Sequence, residues 1–240
     1  MNSALQHIGS ASKSEQTLQP GSRQETDAPL QVILLGCGVV SSVLYVAMDV
    51  IGTIGYGGYS YIDHTFSELM AAGSPVRPFM LLLSTLPYTL LMAAFALGVA
   101  RSAGRKRAAS ITAALLIGYA VIGMVTAIVF PMNTRIALAA GETGLRSSMH
   151  PAGTMVMSLF LLLAMGFAAT LLGRRFRYYT YATIIVLVVF GMLTSLQAGD
   201  MTSNLPTPWM GLEERINIYA TMLWSAVLAV ALQRAESLGS

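Results

Sequence analysis

The sequence predicts an all-α polytopic membrane protein, a bundle of six transmembrane helices. Of its 240 residues, 55% are hydrophobic and 10% are charged, whereas a soluble domain carries about 25% charged residues. Six apolar segments are each about long enough to cross a hydrocarbon core, which takes roughly 20 residues. Because backbone polar groups must be paired inside lipid, such segments are expected to be helices. The short alternating segments of a β-barrel are not found in the sequence.

The elements follow in order along the chain. Residues 1–29 are polar and lack apolar periodicity, so they are predicted to form a disordered cytoplasmic tail. The six-helix transmembrane domain is predicted over residues 30–234, with a short cytoplasmic tail at 235–240. Pro87 is expected to kink the second helix. The six helices are predicted at about 30–54, 78–100, 108–130, 151–172, 178–198 and 216–232.

Basic residues predict the orientation, because Lys and Arg concentrate in short cytoplasmic loops. They cluster after the second and fourth helices and recur after the sixth, which places both termini on the cytoplasmic side of the plasma (inner) membrane. Since topology accounts for these charges, nucleic acid is not expected as a partner; the expected partner is the lipid bilayer. The residues concerned are Arg101, Arg105, Lys106, Arg107, Arg174, Arg175, Arg177 and Arg234.

The other, extracytoplasmic side mixes acids, bases and histidines near the helix ends. In YIDHTFSEL, residues 61–69, a short helix would place His64 and Glu68 four residues apart on one face. A histidine and a carboxylate so placed can bind a metal or form an acid–base pair. The alternative is an interfacial helix whose charged groups face water. Glu68 is expected to pair with Arg215 or His150.

His150 and Asp200 come from two further outer segments. His150 precedes Pro151, which fits the first turn of the fourth helix. The helix dipole there favours the neutral imidazole that a metal ligand or general base requires. Asp200 ends the fifth helix, before a loop that suits either an ordered lid or an interfacial anchor. Both residues could equally be ordinary surface groups.

Arg215 and Asp49 are expected inside the bundle. Arg215 lies on the outer side against the positive-inside bias, so it should have a buried acidic partner or hold an anionic group. Asp49 lies about one turn below the outer end of the first helix, and its candidate partners are Arg215 and Arg135. Glu214, in a first helical turn, is explained by the helix dipole alone.

Four motifs, FSELMAAGSPVRP, FPMN, SSMHPAG and GLEERINIYATMLW, together resemble a bacterial and archaeal family of integral membrane proteins, the domain of unknown function 998 family. The resemblance runs from about residue 32 to residue 232. It implies a multi-helix membrane protein and no established activity. The residues that it places in motif regions are Ser67, Glu68, His150, Glu214 and Arg215.

The outer residues predict a binding or catalytic site for a lipid or another amphiphile. A looser similarity to alkaline-ceramidase-type membrane hydrolases would imply zinc, but the paired-histidine helix motif of those enzymes is missing here. Catalysis, cofactor and metal therefore stay open. The alternatives are a small-molecule or proton-coupled transporter, disfavoured because helices two to six lack central charges, and a structural or accessory protein. The proposed site comprises Glu68 and His150 as candidate general bases, with His64, Asp200, Glu214, Asp49 and the anion-binding Arg215 as ligand contacts.

Overall fold

A computed structural model describes residues 21–102, 107–142 and 144–238. Within these ranges six helices are long and apolar enough to cross a membrane. No strand occurs in the described ranges, so the predicted all-α multi-pass class is confirmed. We label the six helices α1 (Gly21–Gly55), α2 (Arg77–Arg101), α3 (Arg107–Val129), α4 (Leu145–Ala168), α5 (Arg174–Leu196) and α6 (Met210–Ser237).

The helix ends differ from the predicted ones mainly at three places. α1 begins at Gly21 rather than at residue 30. α4 begins at Leu145, so His150 and Pro151 lie in its second turn instead of at its start. α6 begins six residues before the predicted position 216, at Met210. Parts of the predicted tails and of the first basic loop lie outside the described residues, namely 1–20, 239–240, Arg105 and Lys106.

The irregularity expected near Pro87 takes the form of a π-helical turn. Leu81–Thr85 forms this wider turn, which ends two residues before the proline. Proline lacks an N–H and its ring crowds the carbonyl one turn earlier, and local π-helical turns are one way in which membrane helices satisfy the backbone groups that a proline frees. α2 thus continues through the proline as one membrane-spanning element.

The six helices form a ring. α1 packs against α2 and α6, α3 packs between α2 and α4, and α5 packs against α6. α3 and α4 approach closely at Gly153, where a Cβ would overlap the Thr126 hydroxyl, as is common where small residues line a membrane-helix interface. α4 and α5 touch only sparsely. The ring is therefore most open along the seam between α4 and α5.

The two ends of the bundle are built differently. We call the end where α2 and α4 finish the arginine end, and the opposite end the loop end. Toward the arginine end the interior is a tight apolar core, whose fully buried members include Leu35, Phe95, Leu116, Met165 and Leu228. Toward the loop end lie the connecting segments with three short helices, Phe66–Leu69, Arg135–Ala139 and Ala198–Thr202.

The outside of the ring is strongly apolar. Leu82 and Leu90 on α2 and Ile185 on α5 are each 63% exposed. Large aliphatic side chains exposed on long apolar helices fit lipid rather than water. The chain is therefore an integral membrane protein in contact with the bilayer.

Candidate functional site

A fully buried ion pair joins α1 to α6 near the loop end. Asp49 and Arg215 are both 0% exposed. Arg215 Nε donates to Asp49 Oδ2 and Nη2 donates to Oδ1, each at 2.9 Å. This bidentate arrangement is the strongest geometry for a guanidinium and a carboxylate. The buried acidic partner predicted for Arg215 is thus present, and it is Asp49.

Every N–H group of Arg215 has a protein acceptor. Nη1 donates to the backbone carbonyls of Tyr61 at 2.7 Å and His64 at 2.9 Å, and more weakly to that of Gly211 at 3.2 Å. Nη2 also donates to the Tyr59 hydroxyl at 2.7 Å. Because a guanidinium has five N–H donors, none is left for an anionic ligand. Arg215 therefore stabilises the protein itself in this geometry.

Tyrosine side chains complete the surroundings of the pair. The Tyr219 hydroxyl donates to Asp49 Oδ2 at 2.6 Å and lies 2.7 Å from the Tyr61 hydroxyl. The Tyr61 ring lies 3.9 Å from the Arg215 guanidinium carbon, a cation–π contact. Burial raises the pKa of Tyr59 well above its usual range, although the Arg215 guanidinium opposes this shift. Tyr59 is therefore a neutral donor at physiological pH.

The segment 61–65 is fixed through its backbone carbonyls. All five of these successive carbonyls accept a hydrogen bond. A Cβ at Gly211 would overlap the His64 carbonyl oxygen and lie 2.8 Å from that of Tyr61, so the start of α6 can meet the segment only through a glycine. Arg215 donates to the carbonyl of Tyr61 and, together with the Tyr59 hydroxyl, to that of His64. The Leu212 N–H donates to the carbonyl of Ile62, and Arg135 and Thr207 donate to that of Asp63. The Tyr59 hydroxyl and the Glu68 N–H donate to the carbonyl of Thr65.

A second ion pair holds the short helix Phe66–Leu69. Glu68 Oε1 accepts from Arg135 Nε at 2.5 Å, and Oε2 accepts from Arg135 Nη2 at 2.9 Å. Oε2 also accepts from the Thr65 N–H at 2.7 Å, which forms a capping box at the start of the helix. Glu68 is buried, so its charge is compensated by Arg135 and the helix cap.

The structure corrects two expectations about this segment. The partner of Glu68 is Arg135, not Arg215 or His150, because the Arg215 donors are occupied by Asp49 and the loop carbonyls. His64 does not share a helical face with Glu68, because the helix begins only after the cap. The Ser60 N–H instead donates to His64 Nδ1 at 3.2 Å, and burial lowers the pKa of His64, so its imidazole is neutral.

Between the helices, toward the loop end, lies a cavity of about 750 Å³ lined by residues of all six helices. Ser67, His150 and Glu214 form its polar end. From there it runs along the bundle past Tyr88 and Tyr119, and most of its wall is apolar. It reaches the seam between α4 and α5, where several lining side chains are exposed: Met155, Leu159, Val188 and Met192.

Glu214 and His150 each keep hydrogen-bonding capacity at the polar end. Glu214 Oε1 accepts from the Ser67 hydroxyl at 2.9 Å, and Oε2 accepts from the Phe66 N–H. His150 Nδ1 lies 2.9 Å from the Phe130 carbonyl, which can only accept, so Nδ1 carries the proton. In the neutral ring Nε2 is then an acceptor, and it has no protein partner within the described ranges.

The seven predicted site residues therefore lie in separate places. Glu214 and His150 line the cavity, and Asp49 with Arg215 forms the buried pair. Glu68 is held by its ion pair, while His64 lines a second, more open space of about 440 Å³. Asp200 is exposed in the short helix Ala198–Thr202 and lines neither space. In the part of the chain that the structure describes, no three His, Cys, Asp or Glu residues are grouped to hold a metal ion.

Sequence reasoning missed the tyrosines of this region. Tyr59, Tyr61 and Tyr219 bond to the buried pair, and Tyr88 and Tyr119 line the cavity. The run YGGYSY at the end of α1 was a signal. However, tyrosines at the edge of a membrane segment usually anchor it at the interface, so their sequence position alone could not separate an anchor from a buried donor.

The family comparison agrees with the resemblance seen in the motifs. A family model described as "Protein of unknown function (DUF998)" matches residues 39–231, which is most of the chain. Comparisons with curated proteins and with solved structures found no match. The match confirms the predicted family, and its description names no reaction or ligand.

Removal of one member of the buried pair should destabilise the protein strongly. Arg215→Met leaves the Asp49 carboxylate buried without a cation, and we expect a loss of about 3–5 kcal/mol in the free energy of unfolding. Asp49→Leu should have a similar effect. The double variant should lose less free energy of unfolding than the two single variants together, because no unpaired charge remains buried. Unfolding by sodium dodecyl sulfate titration measures all three free energies.

Arg146→Met is the matched control, since Arg146 is an exposed arginine at the same end of the bundle. An effect of Arg215→Met as small as that of the control would contradict the structural importance of the pair. Strict additivity of the two single variants would show that Asp49 and Arg215 do not interact.

Gly211→Ala should also destabilise the protein. Its Cβ would collide with two backbone carbonyl oxygens, which cannot move aside as a flexible side chain does. We expect a loss of roughly 1–3 kcal/mol, despite the better helix propensity of alanine. Gly199→Ala is the control, because a Cβ there meets nothing within 4 Å. Equal unfolding free energies for the two variants would refute the proposed close approach.

Proposed function

We propose that this chain, which belongs to the DUF998 family of proteins of unknown function, binds a lipid or another amphiphile in its central cavity. One observation carries the proposal: the cavity joins a polar end, formed by Ser67, His150 and Glu214, to a long apolar wall. Its volume of about 750 Å³ lies within the roughly 300–1,000 Å³ of ligand pockets. An amphiphile matches both parts of this surface.

The seam between α4 and α5 supports entry from the bilayer. α4 and α5 touch only sparsely, and lining residues such as Met155 and Met192 are 72% and 64% exposed. A ligand with an apolar tail could move through this seam without its tail entering water, a transfer that would cost about 0.8 kcal/mol for each CH₂ group.

The polar end offers acceptors to the head group of the ligand. Glu214 and the Nε2 atom of His150 can each accept a hydrogen bond from a ligand, and the Ser67 hydroxyl helps to hold Glu214 in place. Of the two general bases predicted from the sequence, His150 lines the cavity and Glu68 is committed to Arg135. If the protein acts chemically on its ligand, His150 is the base in position to do so.

We further propose that the loop end faces the extracytoplasmic side of the plasma membrane, with both termini cytoplasmic. The concentration of arginines at the opposite end supports this orientation. The tight apolar core closes the arginine end of the bundle. This supports a site that is reached from one side of the membrane rather than a transport pathway that crosses it. Asp200 and His64 take no part in the proposed contacts with the ligand.

Photolabelling tests whether the cavity binds amphiphiles. The protein is reconstituted in nanodiscs with single-chain amphiphiles that carry a diazirine in the tail and a neutral, anionic or cationic head. We expect at least one probe to label cavity residues such as Ser158 and Met157, as located by mass spectrometry of peptides. Ser158→Trp should reduce this labelling by about tenfold or more, because the indole fills the space that the tail would occupy.

Val156→Trp is the control on the same helix, since Val156 is exposed and lies outside the cavity lining. It should leave the labelling of cavity residues unchanged. Labelling confined to the outer surface of the helices with every probe, or equal effects of the two tryptophan variants, would refute the proposed function.

A further inference from the structure

We infer that the head group of this ligand is an organic cation, an amine or quaternary ammonium group attached to an apolar tail. The inference rests on the proposed function and adds the chemical class of the ligand. It depends on three features of the polar end: an acid with neutral partners, the absence of a lining Lys or Arg among the described residues, and a group of aromatic rings.

Glu214 is the acid at the polar end. Its hydrogen-bond partners are the Ser67 hydroxyl and the Phe66 N–H, both neutral. A carboxylate has about four lone-pair positions, so positions remain for a donor from the ligand. A carboxylate inside a membrane protein is costly without a positive partner. An ammonium head group would provide that partner.

The arginines nearby are already committed, and the neutral imidazole of His150 presents an acceptor rather than a positive charge. Within the described residues no Lys or Arg lines the cavity. Arg215, next in sequence to Glu214, is paired with Asp49, and Arg135 is paired with Glu68. Each pair is neutral as a whole, so neither attracts an anion into the cavity. A carboxylate or phosphate head group would therefore meet Glu214 with no cation to offset the repulsion.

Aromatic rings lie near Glu214. Phe66, whose N–H bonds to Glu214, stacks on Tyr45 with ring centroids 4.8 Å apart. Tyr45 in turn meets Tyr88 edge to face at 4.9 Å. All three rings line the cavity. Aromatic side chains attract ammonium groups through the negative charge of the ring face, the contact by which proteins recognise quaternary ammonium ligands. A cation of this kind would contact both the carboxylate and the rings.

A competition experiment tests the head group. In nanodiscs of neutral lipid, the cavity-labelling probe is displaced by amphiphiles whose chains have about twelve carbons, each titrated by its mole fraction in the bilayer. The competitors are dodecyltrimethylammonium, dodecyl maltoside and dodecanoate. Tetramethylammonium, which has the same head without a tail, tests whether the tail is needed.

We expect dodecyltrimethylammonium to displace the probe at about one tenth of the mole fraction that dodecanoate requires, equivalent to about 1.4 kcal/mol. Dodecyl maltoside should fall between the two, and tetramethylammonium should not compete. Glu214→Gln should remove most of this preference. The matched control, Glu213→Gln, should keep it, because Glu213 accepts a hydrogen bond from Gln197 and lies outside the cavity lining.

Tyr88→Leu provides a second variant that keeps Glu214 and its hydrogen bonds, in case the glutamine variant does not fold. It should weaken displacement by the cation and leave that by dodecyl maltoside unchanged. Equal displacement by all three head groups, or stronger displacement by dodecanoate, would overturn the inference and leave amphiphile binding intact. Absence of cavity labelling by any probe would overturn both proposals.

Discussion

The bidentate ion pair between Asp49 and Arg215 is the interaction on which the loop end depends. Taking both charges out of water is costly, and the cost is offset only because the other N–H groups of the guanidinium also find acceptors. Those acceptors are mainly backbone carbonyls of the segment 61–65. The pair therefore connects α1 and α6 and also fixes the segment that precedes the short helix Phe66–Leu69.

This fixed segment shapes the polar end of the cavity. Because segment 61–65 is held in place, the Phe66 N–H and the Ser67 hydroxyl are directed at Glu214. The Arg135–Glu68 pair also holds this short helix. Both arginines are engaged in structural ion pairs beside the cavity, and Glu214 has only neutral hydrogen-bond partners. The structural charges thus determine which ligand charge suits the cavity.

The sequence predicted the fold well and the site in part. Long apolar segments must be helices in lipid, so six helices followed directly from composition. Arg215 was identified as buried because its position contradicts the charge bias of membrane loops. The pairing of Glu68 was not predictable, since Arg135 is 67 residues away in the chain and was considered only as a partner for Asp49. The cavity was not predictable either, because it arises from how all six helices pack, including the sparse contact between α4 and α5, which no local sequence pattern records.

Hydrogen exchange measured by mass spectrometry tests most directly whether the buried pair holds the loop end together. In the wild-type protein, the backbone amides of the peptide covering residues 59–70 should exchange more slowly than is usual for a loop, at a rate close to that of the helix ends. In Arg215→Met this peptide should lose most of its protection, while peptides from the arginine-end core stay protected. Fast exchange of the 59–70 peptide in the wild type, or protection that the variant leaves unchanged, would contradict the account.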